Sequence, residues 1–355
     1  MDRAMRRMGR SIERGEWYSR LVVRQAGSHP IAARLATVAI VTLLAGCGSP
    51  PAPTAAPATP TSSASASPST SASPSSSPTG SPSPSPSLAG DLSIRPFTVL
   101  VLGGDNDFRT DATMVVGIDP VNKKISLASI PRDTANVPLP DGGTFTNMKI
   151  NAFYDFARKH SSRYPQGPGR ATADLVGKML GIHIDFYAAT SFDGFVNLVT
   201  AMNGVRVTLA KAVVDPFYQV TTRKFGVRFP AGAQTLKGDR ALIFVRTRQG
   251  DNDFERERRH QLFLLAAGRQ LLAHPSLLAL LLAAHRNLIT DFPLDQVPGL
   301  VTAMSSAGKW PVQQVVLGPR KYESAMTCTC GYALKPRLDQ MRATARAFFP
   351  WAVAH

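Results

Sequence analysis

A long stretch without any charged residue limits which part of this chain can fold. Residues 48–90 consist almost entirely of Pro, Ser, Ala, Thr and Gly and contain no Lys, Arg, Asp or Glu. Such a composition cannot bury a core, and its prolines favour the extended polyproline II conformation. At about 3.1 Å per residue, the stretch reaches on the order of 130 Å when fully extended. The sequence therefore predicts a disordered stalk, and any globular fold must be built from the residues that follow it.

The segment before the stalk has the layout of a secretory signal. Eight arginines and three acidic residues precede the uncharged apolar run Leu35–Ala45. A run this short fits a cleaved signal better than a membrane span, which needs about 20 residues, although an uncleaved anchor is the alternative. The end of the run, Leu44-Ala45-Gly46-Cys47, is similar to the lipobox of bacterial lipoproteins. This similarity implies cleavage before Cys47 and acylation of its thiol, which would anchor the chain to a membrane.

We expect three regions along the chain: a signal peptide at residues 1–46, a lipid-anchored linker at 47–94 and a folded domain at 95–350. The signal holds +5 of the formal net charge of +16, so the remainder holds +11. A basic head can indicate a nucleic-acid partner, but export and a lipid tether argue against one. Anionic wall polymers, lipid headgroups and phosphorylated glycolipids fit better, at the extracytoplasmic face of the plasma membrane.

Two further cysteines, Cys328 and Cys330, lie near the C-terminal end of the chain. In an exported protein, two cysteines this close can form a small disulfide or stay as free thiols. Two ligands with no histidine nearby make a poor zinc site. We assign neither cysteine a catalytic role.

Globular patterning begins at Phe97 and alternates between strand and helix signals. Short apolar runs rich in strand formers predict strands at 97–102, 112–118, 124–130, 184–190 and 205–209. Helical spacing of apolar residues predicts helices at 150–157, 171–180, 192–202, 236–244, 256–272, 277–285 and 294–305. The turn signal Asp119-Pro120-Val121-Asn122 joins the second and third strands into a hairpin. Strands alternating with helices favour an α/β fold, with helices flanking a mixed central sheet in one three-layer-like domain.

The most informative polar segment runs from Arg246 to Gln261 and contains five arginines interleaved with carboxylates. Guanidinium groups hold phosphate oxygens through two parallel hydrogen bonds and keep their charge at working pH. A cluster of them at the start of a helix therefore suits a pyrophosphate. The alternative is a solvated helix start that is stabilised by surface ion pairs.

Three other polar segments stand where apolar core would be expected: Gly103–Asp105 with Arg109–Asp111, Ile130–Thr134, and Lys149–Asn151. Together with the arginine segment, and in this order, they resemble the LytR-CpsA-Psr family of cell-envelope phosphotransferases. Further segments are similar to the family at matching intervals, namely Phe192–Phe195, Phe229–Gly232 and Ala241–Arg248. The resemblance covers roughly residues 95–275, with the core motifs in 97–275, and extends weakly to about residue 320.

The resemblance implies both a fold and an activity. The sheet and helices would enclose a long apolar tunnel for a polyprenyl chain, whose pyrophosphate sits at the tunnel mouth. Members of the family transfer a glycopolymer phosphate from the polyprenyl carrier to a peptidoglycan sugar hydroxyl, usually with Mg²⁺. A lipoprotein that binds polyprenyl (pyro)phosphate without catalysis, or a polyprenyl pyrophosphatase, is the alternative function. A DNA-binding regulator is a third possibility, against which the signal and lipobox argue directly.

The resemblance also assigns residue roles at matching positions. Pyrophosphate binding falls to Arg109, Arg132, Lys149, Arg246, Arg248, Asp253, Arg256 and His260. The catalytic set is Asp111 with Arg109, Arg132, Arg246 and Arg248. Asp105 and Asp111, on loops that the strand pattern brings to one sheet edge, are the expected Mg²⁺ ligands, since Mg²⁺ prefers carboxylates and phosphate oxygens.

Some of these residues have a second interpretation. The resemblance implies that Asp253 is a buried partner that orients arginines, and it can at the same time act as the N-cap of the following helix, whereas Lys149 can be an ordinary lysine at a helix start. Arg258 points away from the other arginines of its helix and is expected at the surface.

Arg256, Arg259 and His260 share one helix face, because spacings of three and four return to the same side, and this face is expected to meet the headgroup. His260 stands where the family commonly has glutamine, and Ala112 where it commonly has threonine. The loop from Asp105 to Arg109 is also shorter than in most members, which makes Asp105 the less secure metal ligand. Histidine still donates a hydrogen bond, but its donor capacity depends on pH.

Overall fold

A six-stranded mixed β-sheet forms the centre of the fold. The structure, a computed structural model, describes residues 91–105, 108–248, 252–274 and 287–354. The predictions for the signal, for Cys47, for the stalk up to residue 90 and for a helix at 277–285 lie outside the described residues. Within the described ranges, no helix is both long enough and apolar enough to cross a membrane.

The order of elements agrees with the predicted alternation of strands and helices. The described strands are β1 (Phe97–Gly104), β2 (Thr110–Asp119), β3 (Lys124–Ser129), β4 (Phe186–Ser191), β5 (Val205–Leu209), β6 (Val213–Thr221), β7 (Lys224–Phe229), β8 (Gly232–Leu236), β9 (Ile289–Thr290), β10 (Val312–Val316), β11 (Glu323–Cys328) and β12 (Gly331–Pro336). The described α-helices are α1 (Phe153–Lys159), α2 (Pro168–Leu180), α3 (Phe192–Ala201), α4 (Gly238–Arg246), α5 (Asp253–Ala273), α6 (Val297–Ala303) and α7 (Leu338–Phe348).

The central sheet has the order β10-β3-β2-β1-β4-β9. Strand β1 runs antiparallel to β2 and parallel to β4, and β3 runs antiparallel to β2 and parallel to β10. The β2–β3 hairpin was predicted, and its turn is closed by Asp119, whose Oδ1 accepts a hydrogen bond of 2.9 Å from the Asn122 backbone N–H. The α/β fold with a mixed central sheet is therefore confirmed.

Side chains along β1 alternate between two apolar cores, as the period of two in a strand requires. Leu100 and Leu102 join a core with side chains of α1, α2 and α7. Phe97 lies on the opposite face, in a core that includes Leu300 of α6. Helices therefore cover both faces of the sheet.

A third apolar cluster joins α3, α4 and α5 to the two-stranded pairs β5–β8 and β6–β7. The β6–β7 hairpin was not predicted, and neither were β10, the β11–β12 hairpin and α7. The predicted helix at 236–244 begins later, because Leu236 ends β8 and α4 spans Gly238–Arg246. Arg246 consequently lies at the C-terminal end of this helix.

The close cysteine pair forms a disulfide at the turn of the β11–β12 hairpin. Cys328 is the last residue of β11, and the Cα atoms of Cys328 and Cys330 are 5.1 Å apart. The sequence left a disulfide and two free thiols as alternatives for these cysteines, and the structure has the disulfide.

Candidate active site

A cavity of about 640 Å³ lies between the central sheet and helices α3 and α5. Its walls are mainly apolar, with Val99, Val101 and Met114 from the sheet, Phe195, Leu198 and Val199 from α3, Leu242 from α4, and Leu264, Ala267 and Leu271 from α5. Pockets that bind small molecules are typically concave and mostly apolar, with a few polar groups that fix orientation. The dimensions and walls of this cavity suit an elongated apolar group.

Among the described residues, every charged or histidine side chain that lines this cavity was predicted for the site. These residues are Asp111, Arg132, Arg246, Arg248, Arg256 and His260. They come from β2, the loop after β3, the end of α4 and the first turns of α5. The fold therefore places four guanidinium groups and one carboxylate against an otherwise apolar cavity.

A hydrogen-bonded ion pair joins Arg132, in the loop after β3, to Asp111 near the start of β2. The Arg132 Nη1 donates to Asp111 Oδ1 over 2.7 Å. Burial lowers the pKa of Arg132, but the hydrogen bond and the negative charge of Asp111 outweigh burial and leave that pKa raised. Asp111 lies in β2 and not on a loop as predicted, because Gly104 pairs with Thr110 and the strand already begins there.

The close approach of the two strands also requires glycine at position 104. A Cβ atom at Gly104 would lie 2.7 Å from the Arg109 carbonyl oxygen, a contact that real side chains do not make. The Gly103-Gly104-Asp105 motif is thus explained by the turn into β2.

The arginines at the end of α4 are fixed by neighbouring elements. The Arg246 guanidinium lies over the Phe192 ring, with Cζ 4.3 Å from the ring centroid, which is a cation–π arrangement. The buried carboxylate of Asp215 on β6 accepts hydrogen bonds from the Thr247 hydroxyl and, over 3.1 Å, from the Arg248 backbone N–H. Asp215 was not predicted, yet it fixes the backbone between the two arginines.

Asp253 connects two cavity arginines and does not act as the helix cap. The N-cap of α5 is Asn252, whose side chain accepts hydrogen bonds of 3.0 Å from the backbone N–H groups of Phe254 and Glu255. Asp253 Oδ1 lies 3.2 Å from Arg256 Nη1 and 3.6 Å from Arg248 Nη1. Of the two interpretations of Asp253, the structure therefore has the partner that orients arginines.

The next turn of α5 binds the C-terminal carbonyl groups of α4. The His260 Nε2 lies 2.8 Å from the Val245 carbonyl oxygen, and Arg259 donates to the Thr247 carbonyl oxygen. Hydrogen-bond donors at these positions satisfy carbonyl groups that a helix end leaves without partners. The prediction that Arg259 faces the headgroup is therefore wrong, since its guanidinium is buried against the backbone and is absent from the cavity lining.

Arg258 is exposed and forms an ion pair with Glu255, one turn earlier on the same helix. Its predicted surface position is confirmed.

Three other predicted site residues lie outside the larger cavity. Lys149 Nζ forms an ion pair with Asp133 Oδ1 at 2.7 Å, and Asp133 follows Arg132 directly in the sequence. Asp105 Oδ1 accepts a hydrogen bond of 2.8 Å from the Arg109 backbone N–H, and the Arg109 side chain is exposed. Arg109 is therefore not assembled with the other arginines, because the tight turn after Gly104 directs it to the surface.

A second cavity of about 370 Å³ contains Asp105 and adjoins the first one. The two cavities share lining from Leu102, Gly104, Thr190 and Ser191. Its other lining residues are mixed: Asp105, Thr110, Asp193, Asn197 and Asn287 are polar, and the ring of Phe108, stacked on Tyr154 at 5.9 Å, supplies an apolar part of the wall. Carboxylate, amide and hydroxyl groups beside an aromatic pair suit a ligand rich in hydroxyl groups.

A buried carboxyl group supports the loop that carries Arg132. Glu323 is fully buried and hydrogen-bonded to the Thr134 hydroxyl. The Thr134 hydroxyl also lies 2.7 Å from the Pro131 carbonyl oxygen, so its single proton has two acceptor oxygens, and a proton on the Glu323 carboxyl allows both contacts to be hydrogen bonds. In agreement, burial raises the pKa of Glu323 to about 8, against the lowering effect of the Thr134 hydrogen bond.

The two predicted metal ligands line different cavities, on either side of Gly104. Among the described residues, no group of three or more His, Cys, Asp and Glu side chains is placed to hold a metal ion. Protein sites for Mg²⁺ commonly use one or two carboxylates and complete the shell with water and substrate phosphates. Asp111, beside the arginines, fits such a site, in which substrate phosphate supplies further ligands.

An apolar cavity with four arginines in its lining is typical of the class of proteins that bind an amphiphile with an anionic head. Comparison with known proteins then gives the family. A model of the LytR_cpsA_psr family matches residues 59–346. The chain belongs to this family, as its ordered polar segments predicted.

Relatives of known name support this membership. The polyisoprenyl-teichoic acid–peptidoglycan teichoic acid transferase TagU of Halalkalibacterium halodurans is 31% identical over 246 residues, which are 66% of this chain and 70% of that protein. The cell wall biosynthesis protein LcpA of Corynebacterium glutamicum is 31% identical over 204 residues, 52% of this chain and 37% of LcpA. Several relatives are thus named as transferases that act in the cell wall.

Solved structures show the same fold. TagT bound to LIIa-WTA superposes with a TM-score of 0.58 at 25% identity, covering 74% of this chain and 92% of TagT. Bacillus subtilis TagV superposes with a TM-score of 0.57 at 24% identity, covering 72% of this chain and 98% of TagV. The α/β architecture is therefore that of these proteins.

Proposed function

We propose that this protein transfers a glycopolymer phosphate from a polyprenyl pyrophosphate carrier to a sugar hydroxyl of peptidoglycan. The observation that carries the proposal is the apolar cavity with four arginines in its lining. Relatives named as polyisoprenyl-teichoic acid–peptidoglycan teichoic acid transferases, and a solved TagT with LIIa-WTA bound, support the same assignment.

The polyprenyl chain would occupy the space between the sheet and α5. Apolar side chains such as Leu198, Leu264 and Leu271 would cover it and exclude water. Burying apolar surface is favourable by roughly 25 cal/mol per Å², so a long chain supplies ample binding energy. The cavity would thereby fix the position of the pyrophosphate at the arginines.

The arginines would neutralise the charge of the pyrophosphate and the charge that develops during transfer. Arg132, Arg246, Arg248 and Arg256 all reach the cavity, and Asp111 is the one acidic residue in its lining within the part of the chain that the structure describes. Phosphoryl transfer depends mainly on positioning and electrostatic stabilisation, so a preorganised set of guanidinium groups supplies most of what it needs. The hydrogen bond that Asp215 accepts from the Arg248 backbone and the ion pairs of Asp253 with Arg248 and Arg256 would keep this set in place before substrate arrives.

The acceptor sugar would enter through the smaller cavity. The smaller cavity adjoins the larger one at Gly104, Thr190 and Ser191. A sugar hydroxyl group at this junction would therefore reach the pyrophosphate bound in the larger cavity. That hydroxyl oxygen would form a bond to the sugar-proximal phosphorus, its proton would leave to solvent, and the bond to polyprenyl phosphate would break. Asn197, whose Nδ2 donates to Asn287 Oδ1 over 3.0 Å, would orient the sugar.

Magnesium would be held by Asp111 and, across Gly104, by Asp105. When bound, it would neutralise phosphate charge and favour departure of polyprenyl phosphate. Asp111 would also keep Arg132 oriented, through the hydrogen bond that already joins them.

An anchor at Cys47 would place this site at the extracytoplasmic face of the plasma membrane, where lipid-linked polymer and peptidoglycan meet. Cys47 lies outside the described residues, so the anchor rests on the lipobox sequence.

The test is a transfer assay with purified protein, labelled polyprenyl-linked polymer, peptidoglycan oligomers and Mg²⁺. We expect labelled peptidoglycan with the wild type and a large loss with Asp111→Asn, whereas Asp339→Asn, an exposed carboxylate on α7, should leave transfer unchanged. Release of free polymer phosphate without peptidoglycan labelling would instead indicate a pyrophosphatase. Tight lipid binding without any turnover would indicate a binding protein.

A further inference from the structure

The β6–β7 hairpin has one face packed on the protein and one face in solvent. Its inward residues join the apolar cluster around α3, α4 and α5: Val213, Tyr218, Val220, Val227 and Phe229. Phe217 and Gln219, on either side of the inward Tyr218, are exposed and therefore point outward. The hairpin is therefore anchored well enough to present its outer face in a fixed orientation.

The outer face exposes two phenylalanine side chains. Phe217 is 69% exposed and Phe225 is 59% exposed. Phe225 pairs with Gln219 across the hairpin, two positions along β6 from Phe217, where the register of the two strands shifts. Val214 is also exposed. Single exposed apolar side chains are ordinary, but three on one hairpin, two of them aromatic, indicate a binding surface.

Basic residues surround this aromatic pair. Lys211, Arg223, Lys224 and Arg228 are all exposed. The single acidic residue between positions 210 and 230 is Asp215, which is buried and turned toward Thr247. The outer face thus combines aromatic side chains with positive charge and has no exposed carboxylate of its own. Aromatic rings beside basic residues are the combination that binds at the interface of an anionic bilayer.

The hairpin is joined directly to the phosphate-binding arginines. Asp215 on β6 holds the Arg248 backbone N–H, and Arg240 of α4 stacks over Phe229 of β7 with Cζ 4.4 Å from the ring centroid. Val199 and Val245 belong both to the cluster beneath the hairpin and to the wall of the larger cavity. A surface that holds the outer face of the hairpin would therefore lie next to the cavity.

We propose that the outer face of the β6–β7 hairpin docks on an anionic lipid bilayer, with Phe217 and Phe225 in the headgroup region. The biological role of this docking rests on the proposed function, because a lipid-linked substrate must be taken from a bilayer. Docking itself is a separate property and can be measured without any transfer. Lys224 and Arg223 lie at the turn and face the phosphate groups of the lipids.

The experiment places a tryptophan reporter in the hairpin of the full chain. Phe225→Trp is compared with Tyr332→Trp, a matched control because Tyr332 is 58% exposed on the other hairpin, β11–β12. Both proteins are titrated with vesicles of brominated phosphatidylcholine and phosphatidylglycerol, and the signal of the unsubstituted chain is subtracted. A reporter within the bilayer interface is quenched by bromine, whereas one in solvent is not.

We expect quenching of Phe225→Trp and little change for Tyr332→Trp. Replacing Arg223 and Lys224 by glutamine in the reporter chain should weaken vesicle binding about twentyfold, at about fivefold for each basic residue near the surface. Equal quenching of the two reporters, or none for Phe225→Trp, would overturn the proposal. A spectral shift of Phe225→Trp with peptidoglycan fragments and none with vesicles would assign the face to wall glycan and also overturn it.

A second measurement separates docking from the proposed transfer. Phe217→Ser with Phe225→Ser should lower transfer from vesicle-embedded substrate and leave transfer from detergent-dispersed substrate unchanged. If the wild type transfers from neither preparation, the proposed function fails while quenching still decides the docking. Equal loss in both preparations would show that the hairpin supports the fold and not the membrane contact.

Discussion

The two adjoining cavities differ in chemistry although they share lining at Gly104, Thr190 and Ser191. The larger one combines apolar walls with four arginines, and the smaller one combines amide, carboxylate and hydroxyl groups with an aromatic pair. An apolar chain gains free energy by leaving water, whereas a sugar needs hydrogen-bond partners to replace those it loses. In the proposed function, one edge of the sheet would therefore separate a lipid-binding side from a hydroxyl-binding side, with the reacting phosphorus between them.

The largest expected effect is on the arginine side. Arg246→Ala should lower the rate of transfer by about a hundredfold to a thousandfold, as loss of one preorganised donor to a developing anion does. The measurement is kcat in the transfer assay with saturating lipid and acceptor. Arg258→Ala is the matched control, because Arg258 lies on the surface and pairs with Glu255, and it should retain full activity. Similar rates for both variants would remove Arg246 from the site.

The arginine side was also the part that the sequence could predict. Interleaved arginines and carboxylates between Arg246 and Gln261 form a local pattern, and ordered motifs placed Asp111 and Arg132 beside them. By contrast, Asp215 reaches Thr247 from 32 positions away and Glu323 reaches Thr134 from 189 positions away. No local pattern marks such residues, because only the tertiary fold brings the partners together.

The same reasoning applies to the strands. Those of the β2–β3 hairpin were predicted from apolar runs around a strong turn signal. Strand β10 reads Val-Gln-Gln-Val-Val, and β6 contains a proline and register shifts at Asp215 and Gln219. Their strand character comes from pairing with neighbours, which the sequence pattern does not show. The tight turn that removes Arg109 from the site likewise depends on the pairing of Gly104 with Thr110.

The second prediction tests the support beneath Arg132. The raised pKa of Glu323, about 8 against an ordinary 4.5, means that the folded protein binds this proton more tightly than the unfolded chain. Stability is therefore greatest below the ordinary value and falls as pH rises from about 4.5 through about 8, by on the order of 4 kcal/mol. Glu323→Gln carries no ionisable group there and should lose this part of the pH dependence.

The measurement is the thermal midpoint of wild type and Glu323→Gln between pH 5 and pH 9. As pH rises, the thermal midpoint of Glu323→Gln should increase relative to that of the wild type. Parallel plots of thermal midpoint against pH for wild type and Glu323→Gln would contradict a neutral Glu323 in the folded protein. The control is Glu255→Gln, at an exposed ion pair, whose plot should remain parallel to that of the wild type.

The third prediction concerns the polar side. Asn197→Leu should raise KM for the peptidoglycan acceptor about fivefold to tenfold, since one or two hydrogen bonds to the sugar are worth about 1 kcal/mol each. Affinity for the polyprenyl substrate should not change, because Asn197 lines only the smaller cavity. An equal loss of lipid and acceptor affinity would show that the two cavities do not divide the substrates.

The smallest expected effect concerns His260, where family members commonly have glutamine. His260 lines the larger cavity, but its Nε2 is directed at the Val245 carbonyl oxygen near the end of α4. A glutamine amide can donate to the same carbonyl group, so His260→Gln should change transfer by no more than about threefold. His260→Ala leaves that carbonyl without its partner and should cost about tenfold, through displacement of Arg246 and Arg248. Equal losses for both variants would instead indicate that the imidazole makes a contact that a glutamine amide cannot reproduce.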